Sequence, residues 1–341
     1  MGQILITGGL GFIGVNLANY LLSNTEENII IYDNMSRKNV IKNKEWLEQH
    51  TKARSHLQII KGDICDFTSL KKNASDLEKI YHIAGQVAVT TSVKDPFLDF
   101  ETNAKGTLNV LEMARQLNTD PLLIMTSTNK VYGALDGLKV IEKEKRYDFK
   151  EYKQGISETF PVDPHSPYGC SKYCAESYFK DYYRIYGLKT VVFRMSCIFG
   201  THQWGTEDQG WIAHFIISSV LARPLTIYGD GKQVRDILFI SDLIQAFQLA
   251  LKNINKTKGE VYNIGGGVNN TISLLELLEL LEEMLNRKIT YDFDTWRPGD
   301  QKVYYSDTSK AKKDFNWVPK IPKEEGIREL FDWVRGNIQL F

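Results

Sequence analysis

Two short stretches of the sequence carry side chains that could do acid–base chemistry. The segment "YGCSK" places Tyr168 and Lys172 four residues apart, and the segment "STNKVYG" places Thr128 directly after an apolar run. Residues four apart share one face of a helix, so the phenol and the amine can act together. A phenol with an ordinary pKa near ~10 is a poor base, but a neighbouring positive charge favours phenolate. A Tyr–Lys pair occurs often by chance, so its meaning depends on its context.

A glycine-rich turn near the N-terminus supplies that context. The segment "TGGLGFIG" places Gly8, Gly11 and Gly14 between an apolar run and a helical segment. Glycines at this spacing permit a tight turn, a close approach of the backbone to a pyrophosphate and close packing of the helix. Because the triplet lies in the first βα turn, it meets the requirement of a dinucleotide-binding fingerprint.

The ends of the next two apolar runs favour NAD as the dinucleotide. Asp33 ends the second run, at the usual distance beyond the glycines, where its carboxylate can accept from ribose hydroxyls and would repel a 2′-phosphate. Arg37 leaves NADP open as an alternative. Asp63 and Ile64 follow the third run and are predicted to clamp the adenine. We therefore predict an NAD cofactor.

The elements that must position these residues follow from the hydrophobic pattern. The runs predicted as strands are "ILIT" (4–7), "IIIY" (29–32), "LQII" (57–60), "IYHIA" (80–84), "LLIMT" (122–126) and "TVVFR" (190–194). Helical segments alternate with them, which predicts an α/β fold with a Rossmann-type doubly wound parallel sheet. Beyond these runs the pattern loosens into shorter elements, which predicts a smaller C-terminal α/β substrate-binding domain.

The domain organisation can be stated in residue ranges. We expect an NAD-binding domain at 1–195, joined by part of 230–255, and a substrate-binding domain at 196–341. The Leu-rich segment 273–286 is predicted to be the core helix of the second domain. The polar stretch 134–160 is predicted to be a long solvated loop, and a lid over the site is the alternative.

The composition argues against several classes of function. The 341 residues include 42 basic and 42 acidic side chains, so a general electrostatic grip on nucleic acid or a membrane surface is not expected. No apolar run approaches the ~18 residues of a membrane span, and the chain begins in a strand without a signal peptide. Cys65, Cys170, Cys174 and Cys197 form no CxxC pair, which predicts reduced thiols and a cytoplasmic protein. No metal site is predicted.

The whole chain resembles the extended short-chain dehydrogenases/reductases of the nucleotide-sugar epimerase and dehydratase family. The resemblance runs nearly end to end and rests on the motifs "TGGLGFIG", "YDN", "GDICD", "HIAGQ", "NAKGT", "TST", "YGCSK", "GDGKQVRD", "YNIGGG" and "RPGDQ". It implies that Thr128, Tyr168 and Lys172 are catalytic. It implies that Arg235 and Arg297 bind the diphosphate of a nucleotide sugar, which suits bidentate guanidinium contacts.

The same resemblance implies further contacts to NAD. These residues are Phe12, Ile13, Asn34, Ser36, Arg37, Ala84, Gly85, Gln86, Asn103 and Thr126. Members of the family commonly pair through two helices, which correspond here to the regions around 97–117 and 166–185. A homodimer or homotetramer is therefore implied. His82, within a predicted strand, is expected to be packed rather than to be a ligand.

The two residues after the catalytic threonine distinguish the reactions of the family. Its 4,6-dehydratases carry Asp-Glu there, whereas this chain carries Asn129-Lys130, which cannot do the acid–base work of a carboxyl pair. Epimerisation or ketosugar reduction is therefore expected. The open alternatives are a 2-epimerase of a CDP-sugar, a 4-epimerase of a UDP-sugar and a 4-ketosugar reductase. A non-catalytic NAD-sensing protein is the remaining hypothesis.

A narrower resemblance favours the first of these alternatives. The segments "STNKVYG", "AGQVAVTTSVKDP", "HSPYGCSK" and "DQGWIAHF" are similar to those of the CDP-paratose 2-epimerases, also called CDP-tyvelose epimerases. This resemblance implies a CDP-sugar substrate. The expected substrate contacts are Ser92, Thr128, Asn129, Lys130, Cys197, His202, Arg235 and Arg297. For Cys197, a small filler of the core is the preferred interpretation.

Overall fold

The structure is a computed structural model that describes residues 2–50, 56–297 and 299–341. Its largest sheet contains β1 Gln3–Thr7, β2 Asn28–Asp33, β3 Leu57–Lys61, β4 Leu77–His82, β5 Leu122–Thr128, β8 Lys189–Met195 and β12 Glu260–Ile264. The strands lie in the order β12-β8-β5-β4-β1-β2-β3, and every neighbouring pair is parallel. The prediction of a doubly wound parallel sheet is confirmed.

Helices cover both faces of this sheet. The helices are α1 Phe12–Asn24, α2 Val40–His50, α3 Phe67–Lys72, α4 Val89–Lys94, α5 Pro96–Phe100, α6 Gly106–Arg115, α7 Pro167–Tyr186, α8 Trp211–Val220, α9 Ile240–Lys252, α10 Ile254–Thr257, α11 Leu274–Leu285, α12 Ser309–Phe315 and α13 Lys323–Gly336. Helices α1, α2 and α9 share one hydrophobic core, whereas α3, α6 and α7 share the other. Successive strand residues point to opposite faces, so Ile4 and Ile6 enter the first core and Leu5 the second.

Shorter strands build a smaller region beside the large sheet. They are β6 Val140–Glu142, β7 Tyr147–Phe149, β9 Cys197–Phe199, β10 Leu225–Tyr228, β11 Val234–Phe239, β13 Thr271–Ser273, β14 Tyr291–Asp294 and β15 Val303–Tyr304. Strand β11 pairs with β9, β13 and β15, and β10 pairs with β14. The predicted helix at 273–286 is α11, which begins at a capping box formed by Ser273 and Glu276.

The chain returns to the large sheet after leaving it. Helix α9 packs in the core that contains α1, and β12 pairs with β8 at the edge of the sheet. The sequence alone does not predict a strand at 260–264, because "EVYNI" is short and mixes polar with apolar residues. The domain boundary at 195 and the return of residues 230–255 to the first domain stay predictions. Strand β12 lies beyond that range and also belongs to the large sheet.

The polar stretch 134–160 differs from the solvated loop that the sequence predicts. Strands β6 and β7 within it form an antiparallel hairpin. Tyr147, Phe149 and Ile156 are buried in a small core with residues of β11 and β15. The surrounding charged residues dilute this apolar pattern, so local composition alone predicts a loop.

A buried network of polar side chains also connects the strands of the large sheet with α7. Arg194 on β8 is 4% exposed, Glu176 on α7 is 0% exposed, and Arg194 Nε lies 3.1 Å from both carboxylate oxygens of Glu176. Ser127 Oγ donates to Glu176 at 3.1 Å, and Arg194 Nη1 donates to the Tyr132 hydroxyl at 2.9 Å. That hydroxyl donates to Asn263 Oδ1 at 2.8 Å. We call these five residues the Glu176 network; it joins β5, α7, β8 and β12.

Replacing Arg194 with Met tests how strongly the fold depends on this network. The variant leaves the Glu176 carboxylate buried without its cation, so the free energy of unfolding should fall by about 3–5 kcal/mol. Chemical denaturation measures the change. Lys44→Met is the control, because Lys44 and Glu48 form an exposed pair at 3.8 Å that should contribute below ~1 kcal/mol. Equal effects of the two substitutions would contradict the prediction.

Candidate active site

The carboxyl ends of the parallel strands open into a cleft of about 1290 Å³. The strand order reverses between β1 and β4, and ligands of open α/β sheets bind at such a point. The predicted site residues that line the cleft are Gly8, Gly11, Phe12, Ile13, Asp33, Asn34, Ser36, Arg37, Asp63, Ile64, Ala84, Gly85, Gln86, Thr126, Thr128, Asn129, Lys130, Tyr168, Lys172, Cys197, Arg235 and Arg297. The structure therefore brings most of them together.

The glycine turn at one end of the cleft fits a dinucleotide. A Cβ on Gly14 would lie 2.5 Å from the Gly8 carbonyl oxygen, so only glycine lets α1 approach the turn. A Cβ on Gly11 would meet only that oxygen, at 3.3 Å, so its absence leaves room on the cleft side. Asp33 Oδ2 accepts from Leu10 N at 3.0 Å, which fixes the carboxylate beside the turn. These residues suit a pyrophosphate and a ribose.

The other predicted cofactor residues form hydrogen bonds around this end of the cleft. Asn34 Nδ2 donates to Asp63 Oδ2 at 2.9 Å, which joins the ends of β2 and β3. Arg37 Nη2 donates to the Gly85 carbonyl oxygen at 3.1 Å, and Arg37 Nη1 lies 3.3 Å from Gln209 Oε1. Burial lowers the pKa of Arg37, and the charge of Asp33 acts against that shift. Arg37 therefore connects the two sides of the cleft.

The three predicted catalytic side chains lie at the middle of the cleft. Thr128 ends β5, while Tyr168 and Lys172 lie on the first turns of α7. The helix starts at a fixed point because Ser166 Oγ accepts from Gly169 N at 3.1 Å. Thr128, Tyr168 and Lys172 are each below 9% exposed, and Thr128 forms a side-chain hydrogen bond with Tyr168. The spacing in the sequence thus gives the predicted arrangement.

Burial dominates the electrostatics of these groups. It raises the pKa of Tyr168 to about 12, although the hydrogen bond with Thr128 and the charge of Arg37 act in the opposite direction. Burial also lowers the pKa of Lys172 to about 8, and nearby carboxylates oppose that shift. Both shifts disfavour the charged forms, so a phenolate at Tyr168 needs positive charge in addition to that of the protein at neutral pH.

A second group of charges lies at the substrate end of the cleft. Arg235 Nη2 lies 2.6 Å from Asp300 Oδ1, and Lys130 Nζ lies 3.5 Å from the same oxygen. Burial works against ionisation of Asp300, but the charges of Arg235 and Lys130 outweigh it and lower its pKa. Burial lowers the pKa of Lys130. The arrangement leaves positive charge available for an anion.

Arg297 lies on a different wall of the same cleft. Its guanidinium lies 4.0 Å from the ring centroid of Tyr228, and its Nη2 donates to the Glu207 carbonyl oxygen at 3.1 Å. The carboxylates of Glu207 and Asp208 lie 3.8 Å and 3.7 Å from it. Pro298 of the "RPGDQ" motif lies outside the described residues. Both arginines predicted to bind a diphosphate thus face the cleft and are paired with carboxylates.

The structure does not place two of the predicted substrate contacts in the cleft. His202 lies in an aromatic cluster, with its ring centroid 3.7 Å from that of Trp46 and 5.0 Å from that of Trp333. Burial lowers its pKa to about 4. Ser92 is 0% exposed and donates to the Val89 carbonyl oxygen at 2.7 Å. Neither side chain lines the cleft; a position in the sequence near a site does not reveal the direction of a side chain.

The structure agrees with the sequence for His82, whereas Cys197, for which a small filler is preferred, lies at the cleft. His82 lies 2.8 Å from Thr7 Oγ1 and 2.9 Å from Thr107 Oγ1, and burial lowers its pKa to about 3, so the prediction of a packed histidine is confirmed. Cys197 lines the cleft, and its Sγ lies 3.3 Å from Trp211 Nε1. Gly14 and Asn103, which are predicted to bind the cofactor, do not line the cleft themselves. Each contacts a residue that does: Gly14 contacts Gly8, and Asn103 accepts a hydrogen bond from Gln86 N.

Sequence reasoning missed one wall of the cleft. Its residues are Gln203, Trp204, Thr206, Glu207, Asp208, Gln209, Gly210, Trp211 and His214. The segment "DQGWIAHF" carries part of the resemblance, but none of its residues is among the predicted site residues. The available signal was a mixture of acidic and aromatic residues in a glycine-containing loop.

Comparisons with known proteins now decide the family. The family model for GDP-mannose 4,6 dehydratase matches residues 5–330. The chain belongs to this family. The resemblance to extended short-chain dehydrogenases/reductases is thereby confirmed. None of the helices in the described ranges is long and apolar enough to cross a membrane.

Members of the family that are similar to the chain include several epimerases. CDP-paratose 2-epimerase of Salmonella typhi is 41% identical, over 97% of this chain and 98% of that protein. UDP-glucose 4-epimerase of Thermotoga maritima, solved with UDP-glucose, has a TM-score of 0.84 and 29% identity, over 98% and 99% of the chains. UDP-glucuronic acid 4-epimerase of Bacillus cereus, solved with UDP-glucuronic acid and NAD, has a TM-score of 0.82 and 29% identity, over 99% and 100%.

Arg235→Ala tests the anion site of this family member. The substitution removes a charge-assisted contact and leaves Asp300 facing the cleft, so affinity for a nucleoside diphosphate should fall by at least about 1.5–3 kcal/mol. Calorimetric titration with CDP measures the change. Arg223→Ala is the control, because Arg223 is bonded to the Phe341 carbonyl oxygen outside the cleft. Unchanged CDP affinity in Arg235→Ala would remove this residue from the anion site.

Proposed function

We propose that the protein is an NAD-dependent epimerase that inverts C2 of a CDP-3,6-dideoxyhexose, interconverting CDP-paratose and CDP-tyvelose. The observation that carries the proposal is that one cleft contains all the groups this reaction needs. It is lined by Thr128, Tyr168 and Lys172, by a glycine turn suited to a dinucleotide and by two arginines suited to a diphosphate. The nearly full-length similarity to CDP-paratose 2-epimerase supports the choice of base and sugar. The presence of NAD in a solved relative supports the cofactor.

The charges beside the threonine argue against dehydration, even within a family named for that reaction. Elimination needs an acid for the leaving hydroxyl and a base for the proton. Asn129 and Lys130 occupy the positions that follow Thr128. Asp300 is the carboxyl group near Lys130, and its lowered pKa keeps it ionised at neutral pH, so it cannot act as the acid. Oxidation followed by reduction remains.

The position of the oxidation follows from the acidity of carbon atoms next to a ketone. A 4-keto group acidifies C3 and C5, so it offers no route to inversion at C2. Inversion at C2 of a sugar without a 3-hydroxyl group therefore requires oxidation at C2 itself. Bound NAD supplies the hydride acceptor and donor for this chemistry. The 2-keto sugar must then present its opposite face before it is reduced.

The side chains of the cleft divide the remaining work. Tyr168 Oη takes the proton of the 2-hydroxyl group and later returns it. Thr128 Oγ1 hydrogen-bonds the same substrate oxygen from the end of β5. Lys172 contributes a positive charge that orients the cofactor ribose and favours the phenolate form of Tyr168. Arg235 and Arg297 hold the diphosphate, which leaves the sugar free to turn.

The wall of the sugar subsite suits a deoxygenated substrate. Cys197 and Trp211 contact each other there, and Met195 and Ile198 line the same part of the cleft. Such side chains offer few partners for hydroxyl groups but good packing for the carbon atoms of a 3,6-dideoxy sugar. A hexose with all its hydroxyl groups would leave several of them unpaired against this wall.

The assembly and location form part of the proposal. Large apolar side chains are exposed on α5 and α7, among them Phe97 at 83% and Ile185 at 64%. A homodimer formed through these helices, or a tetramer built from such dimers, would cover them. We also propose a cytoplasmic location, because all four cysteines are free.

A substrate deuterated at C2 tests the reaction. With purified enzyme and no added reductant, the epimerised product should retain deuterium at C2 and gain none from solvent at C3 or C5. Mass spectrometry and NMR follow the label, and matched UDP- and GDP-sugars are the controls for the base. Solvent exchange at C2, or a product lighter by one water, would contradict the mechanism. Conversion of a UDP-sugar at C4 would favour the 4-epimerase alternative, and a requirement for NADH would favour the reductase.

Tyr168→Phe tests the base. The variant lacks the phenol oxygen, so kcat should fall by about 10²–10⁴-fold while the fold and cofactor content are retained. Tyr173→Phe is the matched control, because Tyr173 lies on the same helix and is 39% exposed. Turnover of Tyr168→Phe close to that of the control would exclude Tyr168 from the chemistry.

A further inference from the structure

A buried carboxyl group lies behind the catalytic centre and has no part in the mechanism above. Asp99 on α5 is 0% exposed. Its Oδ1 accepts from Gln86 Nε2 at 2.9 Å and from Asn103 Nδ2 at 3.2 Å. Its Oδ2 has no hydrogen-bond partner in the part of the chain that the structure describes. Two neutral amides do not compensate a buried carboxylate, so a nearby cation is needed.

The hydrogen bonds of Asp99 connect it with the region of Lys172. Asn103, which bonds Asp99, also donates to Ser171 Oγ at 3.0 Å, one residue before Lys172. Asn103 Oδ1 and Lys172 Nζ lie 2.9 Å and 3.8 Å from the point where a Cβ on Gly85 would stand. The Asn103 amide therefore bonds the Asp99 carboxylate and lies beside the same point as the Lys172 amine. Because the missing side chain of Gly85 opens this point toward the cleft, the amine can reach a ligand.

The other buried carboxylate near the lysine is already matched. Glu176 lies four residues after Lys172 and is paired with Arg194 in the Glu176 network. Its charge is therefore largely balanced by a guanidinium. Burial raises the pKa of Asp99, and the charge of Lys172 is among the effects that oppose this shift, so each of these two groups favours the charged form of the other.

We propose that Asp99 is a positioning residue that acts as the counter-charge of Lys172, keeping the buried amine protonated and held toward the cofactor. The inference rests on the proposed roles of Tyr168 and Lys172. Asp99 touches neither the reacting carbon nor the transferred proton. Its effect on catalysis is transmitted through the charge of Lys172 and through the hydrogen bonds of Asn103.

This role has a consequence for pH dependence that a purely structural role lacks. Asp99 from α5 raises the pKa of Lys172 against the effect of burial, and it also raises that of Tyr168. Glu176 acts on Lys172 from α7, and Arg37 acts on Tyr168 from the β2–α2 connection. His82, at the end of β4, stays neutral because burial lowers its pKa to about 3. Removing the Asp99 charge should therefore lower both pKa values together.

The sign of each effect can be stated. Activity needs Tyr168 as phenolate and Lys172 as ammonium, so the pKa values of these two groups bound the pH profile, one at each limb. Lowering both pKa values moves both limbs to lower pH. Without Asp99, the whole bell-shaped profile of kcat/KM should move to lower pH.

The test compares pH profiles of the NAD-loaded enzyme and its Asp99→Asn variant. Both limbs should move to lower pH by about 1 unit, the lower end of the range for a close charge. Glu112→Gln is the control, because Glu112 also contacts α7, through the Tyr182 hydroxyl, without reaching Lys172. Its profile should not move. A uniform loss of activity with both limbs unchanged would overturn the proposal.

A second readout separates this inference from the proposed function. The phenolate absorbance that Tyr168→Phe removes reports the titration of Tyr168 without any substrate. In the Asp99→Asn background this titration should move to lower pH by a similar amount, whatever sugar the enzyme uses. An unmoved titration would overturn the role of Asp99 even if epimerase activity is found. If Asp99→Asn does not fold, Asp99→Ser, which leaves room for water beside both amides, should give the same shift.

Discussion

The buried ion pair between Glu176 and Arg194 determines how β5, which ends at Thr128, meets α7, which carries Tyr168 and Lys172. Glu176 follows Lys172 by one helical turn, and Ser127, which donates to Glu176, directly precedes Thr128. A displacement of α7 along β5 would therefore break a charge-assisted hydrogen bond in a region that excludes water. Buried pairs add little net stability relative to apolar packing, but they penalise every arrangement in which one partner is unpaired. The pair thus specifies one relative position of the helix and the strand.

The burial that fixes the positions of Tyr168 and Lys172 also has an electrostatic cost. Excluding water around Tyr168 and Lys172 disfavours both charged forms, and these are the forms that acid–base catalysis needs. Fixed groups oppose these shifts in place of solvent: Thr128 and Arg37 act to lower the pKa of Tyr168, and Asp99 acts to raise that of Lys172. Under the proposed mechanism, the phenolate of Tyr168 also needs the charges that the ligands bring.

The features that could be predicted from the sequence are those that depend on the spacing of residues along the chain. The glycine triplet, the Tyr168–Lys172 pair and the parallel strands follow local rules of turns, helices and pleated strands, and the structure reproduces them. Sequence reasoning was less successful for orientation, which tertiary packing decides. His202 directly precedes the cleft residue Gln203 in the sequence, but its side chain packs against the rings of Trp46 and Trp333.

Two larger features were hidden for related reasons. The aromatic residues of β7 are diluted by charged neighbours, so the stretch resembles a loop until its partner strands are known. Strand β12 is an edge strand with polar residues, and only its pairing with β8 reveals it. Asp99 could not be selected either, because a lone aspartate in a helix is usually solvated. Its importance depends on the elements that enclose it.

If Arg235 and Arg297 bind a diphosphate, as proposed, the carboxylates that hold them make nucleotide binding an exchange of anions. Arg235 is held by Asp300, and Arg297 by Glu207 and Asp208, so a diphosphate must compete with partners that are already in place. Measured affinity then reports the difference between two sets of ion pairs, not the strength of one. The guanidiniums remain ordered between turnovers, which spares the incoming ligand the entropy of arranging them. Release of product is helped in the same way, because a protein carboxylate replaces each departing phosphate oxygen.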